Sequence, residues 1–180
     1  MSEQADELKE AAERAKEVKE LAPVSLTMAI LAVLVATVTL LGHRAHTEEL
    51  LLQTQATDQW SYYQAKNIRR NNLEALDDVL TAMGNSKEER AEEVHKHFHE
   101  EIDKYRDQQK DIQTEAKEFE AERDKTSRRA DRFDLGEVFL EIALVVTSIT
   151  LLTERRAYWY FGFVLAGIGI VCAASGLLLR

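Results

Sequence analysis

Leu135–Leu152, LGEVFLEIALVVTSITLL, is the stretch on which the fold turns. It is apolar almost throughout, yet it carries two carboxylates, Glu137 and Glu141. A charged, helix-patterned middle precedes it and a second apolar run follows it. Its length suits a ~30 Å hydrocarbon core. If it spans a bilayer, its acids need partners, because a charge at the centre of a membrane helix costs ~2.5–3.5 kcal/mol on insertion scales.

Two further blocks share this character. Val24–Gly42, VSLTMAILAVLVATVTLLG, has no charged residue and is followed by His43, Arg44 and His46. Tyr158–Leu179, YWYFGFVLAGIGIVCAASGLLL, opens on aromatic residues suited to a membrane interface. Within it Gly162, Ala166, Gly169, Ala173 and Gly176 recur at three and four residues. That small-residue face lets another helix approach closely.

Between and around these blocks the 180-residue chain is highly charged, with a net charge of −9. An acidic balance argues against nucleic acid as a partner. Seven glycines and one proline leave room for long helices. Cys172 is the only cysteine, so no intrachain disulfide can form. Residues 1–22 read as an acidic amphipathic helix, with Leu8, Ala11, Ala15, Val18 and Ala22 on one stripe. Pro23 is expected to end it. The charged start lacks the basic-then-apolar order of a leader, so no cleaved one is expected.

Residues 43–134 form the extramembrane body. In its first half Leu52, Ala56, Trp60, Tyr63, Leu73, Leu76, Leu80 and Met83 follow three/four spacing, interrupted by Asn67 and Arg70. Gly84-Asn85 signals a turn. Ser86 with Glu89 makes a capping box that starts a second helix. Along that helix Val94, Phe98, Ile102, Tyr105, Gln109, Ile112, Ala116, Phe119, Arg123, Thr126, Ala130 and Phe133 form a sustained heptad seam. A left-handed coiled coil is the expected packing, with Gln109, Arg123 and Thr126 setting register at a cost in stability. The simplest partner is the preceding helix, folded back antiparallel; the other is the same helix of a second subunit. Arg123, Lys125, Arg128, Arg129 and Arg132 could snorkel to lipid headgroups beside the second span.

The expected fold is all-α: three transmembrane helices (24–42, 135–152, 158–179) and a long antiparallel hairpin outside the membrane. Arg155 and Arg156 lie in a very short loop on the side of the N-terminus. The positive-inside rule therefore places the N-terminus in the cytoplasm and the hairpin outside.

The segment Gln55–Lys66, QATDQWSYYQAK, follows closely on the first block. With the order acidic start, span, charged helix and two closing spans, it resembles a bacterial inner-membrane family known only as a domain of unknown function. The resemblance covers residues 20–179 and implies an inner-membrane location, with no chemistry attached.

Several residues stand out as candidate sites. Glu137 and Glu141 share a helix face. Glu141, deeper in the block, calls for protonation or a partner such as Thr37, Ser175, His43 or Arg44, while Glu137 reads as interfacial and solvated. The pair either orients the spans or forms an ion or proton path in an oligomer. His95 and His99, with Glu92 nearby, have the spacing to share a metal ion or to sense pH, against a plainer reading as solvated histidines. Trp60 and Tyr63 fit the packing stripe; Tyr62 points off it and is the better partner-binding residue of that patch. No nucleophile–base pair, phosphate loop or dinucleotide fingerprint is present, so neither an enzyme nor a cofactor is expected. The expected role is a structural or accessory subunit in the lipid bilayer. It would assemble as a homo-oligomer or within a larger complex through the hairpin and the small-residue third span.

Overall fold

The computed structural model describes the backbone of residues 2–83 and 89–179, and the side chains of 21–83 and 92–179. Among these residues the chain is entirely helical: α1 is Ser2–Ala82, α2 Glu89–Thr153 and α3 Arg156–Leu178. All three are long and apolar enough to cross a membrane by length and composition. The Gly84-Asn85 turn, the cap at Ser86 and the side chains of the N-terminal stripe from Leu8 to Val18 lie outside the described residues, and Ala22 is exposed.

The expected break at Pro23 does not occur: α1 runs through it. Proline removes one backbone donor, but each residue of an established helix on either side closes its own bond. The Thr27 hydroxyl donates to the Pro23 carbonyl at 2.8 Å, the kind of side-chain support that lets apolar helices carry proline.

The helices contribute to two compact units. One holds Met1–His46 and Lys125–Arg180, a three-helix arrangement of the apolar blocks. Its core joins Leu31, Val38 and Ala45 of α1 to Phe133, Leu140 and Ala143 of α2 and Ala166 and Ala173 of α3. The contact between α2 and α3 is built on glycine. A Cβ on Gly136 would lie 2.9 Å from the Gly169 carbonyl oxygen, and one on Gly169 would lie 2.9 Å from both the Gly136 oxygen and Leu140 Cγ. The small-residue face Gly162, Ala166, Gly169, Ala173 and Gly176 is buried. Its glycines meet α2, at Thr147, Leu140 and Phe133. The face is therefore a helix-packing face, but it is occupied within the chain. The expectation that it joins subunits is corrected accordingly.

The other unit, Thr47–Asp124, pairs parts of α1 and α2 side by side. Gln53 meets Arg123, Trp60 meets Glu120, Arg70 meets Gln109 and Asp77 meets His95, an antiparallel order. Along α2 the expected seam faces inward from Phe98 on, with Ile102, Gln109, Ile112 and Ala116 buried, while Val94 at its start is exposed. Along α1 two stripe positions are corrected. Leu76 and Met83 are exposed (52% and 68%), while Asp77 is half-buried on the seam. Asn67 and Arg70 do not interrupt the seam; they form a polar layer in it. Arg70 Nη1 donates to Gln109 Oε1 at 2.8 Å and Arg70 Nη2 to Asn67 Oδ1 at 2.9 Å.

Candidate functional site

The acidic row Asp134, Glu137 and Glu141 lies on α2 where the apolar block begins. Helical periodicity turns the side chains by about 100° per residue. Leu140 points into the core at 0% exposure. From it Glu137 is rotated by about 60° and Glu141 by about 100°. That difference separates their surroundings.

Asp134 pairs with His46 of α1, whose Nε2 lies 3.0 Å from Oδ2. Both side chains are nearly half exposed (49% and 44%), so the pair contributes at most about 1 kcal/mol. Glu137 Oε1 lies 2.6 Å from Thr39 Oγ1 of α1, and the Thr39 hydroxyl also lies 2.9 Å from the Val35 carbonyl oxygen. A hydroxyl has one proton to donate and two acceptor sites. The single Thr39 proton is therefore shared between the Glu137 carboxyl oxygen and the Val35 carbonyl oxygen. Glu137 is thus the acid with an interhelical partner, a correction to its reading as solvated.

Glu141 has no hydrogen bond or ion pair with a described residue, and it is exposed. The partners expected for it are engaged or turned elsewhere. Thr37 donates to the Val33 carbonyl and Ser175 to the Cys172 carbonyl on their own helices. His43 and Arg44 are exposed on α1. Around Glu141, the residues Asp134, Val138, Val145, Ser148 and Leu152 complete a row spaced 4,3,4,3,4. Val138, Val145 and Leu152 are exposed at 50%, 60% and 86%. From Val138 to Leu152 this outer row is a second heptad seam on α2 that is open among the described residues, while Asp134 at its start meets His46 of α1.

At the histidines, Asp77 replaces Glu92 as the partner. His95 Nδ1 meets Asp77 Oδ1, and His99 Nε2 lies 3.5 Å from Asp77 Oδ2. Glu92 is exposed. Among the described residues no group of three His, Cys, Asp or Glu side chains is placed to hold a metal ion. The arrangement is a histidine–aspartate bracket across the hairpin. Nearby on α2, Lys104 donates to Glu101 at 2.9 Å. This bond holds the Glu101 carboxyl below its ordinary value and the lysine above its own. The carboxylate's share of that stability is present above its unfolded pKa and is lost as pH falls through the lowered one.

In the aromatic patch Trp60 Nε1 donates to Glu120 Oε1 at 2.8 Å, and Tyr63 meets Trp60 edge to face at 5.6 Å. Both are packing residues of the hairpin. Tyr62 is 50% exposed, with the Lys66 ammonium 5.2 Å from its ring centre.

Sequence reasoning missed Asp77, and it missed that Thr39 and His46 meet Glu137 and Asp134. Each is a polar residue at core spacing opposite an acid or histidine of α2, a signal visible only once the helices are in register. A family model described as a domain of unknown function matches residues 20–179. No curated protein and no solved structure matches the chain.

Proposed function

The chain belongs to the DUF4337 family over residues 20–179, and from that premise, which carries no activity, we propose a structural role: a three-span membrane subunit whose copies associate along the outer seam of α2. In this reading the N-terminus is cytoplasmic, the membrane is the bacterial inner membrane and the Thr47–Asp124 unit is an extracytoplasmic coiled-coil hairpin. No catalytic role is proposed.

The observation that carries the proposal is Glu141, exposed and without a partner among the described residues, between Val138 and Val145 on the outer face of α2. Facing acyl chains it would cost about 2.5–3.5 kcal/mol. Lipid supplies no hydrophobic drive for helix association, so polar contacts and close packing decide which helices meet. A second copy brings the same heptad row, an apolar match for Val138 and Val145, and a hydrogen-bond partner for Glu141 in its own counterpart. A pair of facing carboxyls can share a proton.

Replacing Glu141 with leucine should weaken association of the purified protein in detergent about 5- to 30-fold. That is the equivalent of one interhelical hydrogen bond of about 1–2 kcal/mol. Glu141→Gln, which keeps a donor and an acceptor, should stay associated. The mass of the detergent-solubilised assembly across a dilution series reads both. An unchanged mass for Glu141→Leu would contradict the proposal. The same proteins in vesicles test the rival transport reading: loss of ion or proton flux in Glu141→Gln with assembly intact would replace the structural role with conduction.

A further inference from the structure

A cavity of about 330 Å³ opens in the first unit where the three helices meet beside the α2–α3 loop, within the size range of small-ligand sites. Its apolar wall is Leu21, Pro23 and Val24; the rest is Thr150, Glu154, Arg156 and Trp159. Three features of this lining are unsatisfied among the described residues.

Thr150 is 1% exposed, and its Oγ1 has no hydrogen-bond partner. Its neighbours behave differently: the hydroxyls of Thr147, Ser148 and Thr153 each donate to a carbonyl of α2. A buried hydroxyl left without a partner costs about 1–3 kcal/mol, and turning the side chain toward an acceptor in the cavity would recover that cost. The second feature is the start of α3. Arg155 caps it without a side-chain bond, and the first turn holds no acid. The Tyr158 amide bonds to the Arg155 carbonyl, and the amides of Arg156 and Ala157 precede any helical acceptor. Such an end attracts anions. The third is the pair of charges. Glu154 and Arg156 stand two residues apart on the cavity, both exposed, and neither side chain is bonded to the other or to a described residue.

We infer that this cavity holds a phosphodiester headgroup bearing a primary amine. The phosphate takes the Arg156 guanidinium, the amides opening α3 and the Thr150 hydroxyl; the ammonium takes the Glu154 carboxylate. The site lies at the common end of the three apolar blocks, beside the interfacial Trp159, whose Nε1 is already engaged with Thr27 Oγ1 at 3.2 Å. Phosphatidylethanolamine in the facing leaflet has this chemistry, as does soluble phosphoethanolamine. Glu154 is held at φ 54°, a left-handed conformation unfavourable for a side-chain-bearing residue, with its amide bonded to the Thr150 carbonyl at 2.9 Å. Glycine relieves that strain, so stability and binding should part at this position. The inference shares only its membrane placement with the proposed association through Glu141.

The test uses the full chain in detergent, titrated with short-chain phosphatidylethanolamine, phosphatidylcholine or phosphatidylglycerol and, separately, with phosphoethanolamine, with binding read by native mass spectrometry. Phosphatidylethanolamine should bind at least about tenfold more tightly than the other two lipids, the scale of one charge-assisted hydrogen bond. Arg156→Gln should lower that affinity about tenfold or more, and Thr150→Val several-fold. Glu154→Gly should erase the preference over phosphatidylglycerol without lowering the melting temperature. Competition by phosphoethanolamine at concentrations near those of the lipid identifies a soluble ligand; its failure to compete identifies the lipid. Equal affinity for the three lipids, or unchanged binding in Arg156→Gln, would overturn the inference. Assembly mass should be unaltered in every one of these variants, which separates this test from that of Glu141.

Discussion

Gly169→Leu is expected to disrupt the three-helix unit, whereas Gly167→Leu, two residues away on the same helix, is expected to leave it intact. The contrast follows from what each new side chain meets. At Gly169 the added Cβ would lie 2.9 Å from a backbone oxygen and 3.1 Å from the Leu140 backbone nitrogen. Backbone of a facing helix cannot swing aside as a flexible side chain can. At Gly167 nothing lies within 4 Å. Even Gly169→Ala should cost about 1–3 kcal/mol, the usual range for overpacking, and leucine more. In the proposed membrane setting the loss would not be recovered elsewhere, because close approach rather than exclusion of water would hold α3 to α2. Thermal unfolding of the detergent-solubilised protein followed by near-UV circular dichroism measures it. Equal melting temperatures for the two leucine variants would show that the helices do not pack through this face.

The second large effect is expected in the hairpin. Gln109 is 3% exposed and connects Arg70 to Asn67. Gln109→Leu deprives the Arg70 guanidinium of an acceptor inside the seam and should destabilise the hairpin by about 2–3 kcal/mol, as for a hydrogen bond to a charged group. Replacing Asn67, Arg70 and Gln109 together by leucine should restore most of that stability, since an apolar layer leaves no group unpaired. The polar layer then acts chiefly on register, which slips more readily in the triple variant. Thermal melts of the helical signal compare the variants. A triple variant no more stable than Gln109→Leu would contradict this reading of the layer.

The parts of the fold governed by period were legible in the sequence, and those governed by rotation were not. The α2 seam was readable because Ile102, Gln109, Ile112 and Ala116 repeat with the heptad whatever the partner. The small residues of α3 were equally visible, but nothing in their spacing says which helix they receive; α2 supplies it through its own Gly136. Asp77 was hidden because Leu76 beside it is the apolar residue of the two, and apolar residues were assumed to face inward. Asp77 instead faces His95 and His99 across the hairpin. Glu137 and Glu141 exchanged roles for a related reason. Depth along the block suggested that Glu141 needs the partner, but a rotation of about 40° between them turns Glu137 toward Thr39 and Glu141 outward. Pro23 misled because a local preference was weighed without the helix on either side of it.

The central claim is that a second copy covers the outer seam of α2. The most direct measurement is disulfide formation in native membranes, with Cys172→Ser as the background and single cysteines placed by Val145→Cys, on that seam, and by Val33→Cys or Val164→Cys, exposed on α1 and α3 at 66% and 59%. The account predicts rapid crosslinking into a dimer at position 145 and little at 33 or 164. Absence of a crosslink at 145, or equal crosslinking at all three positions, would contradict it.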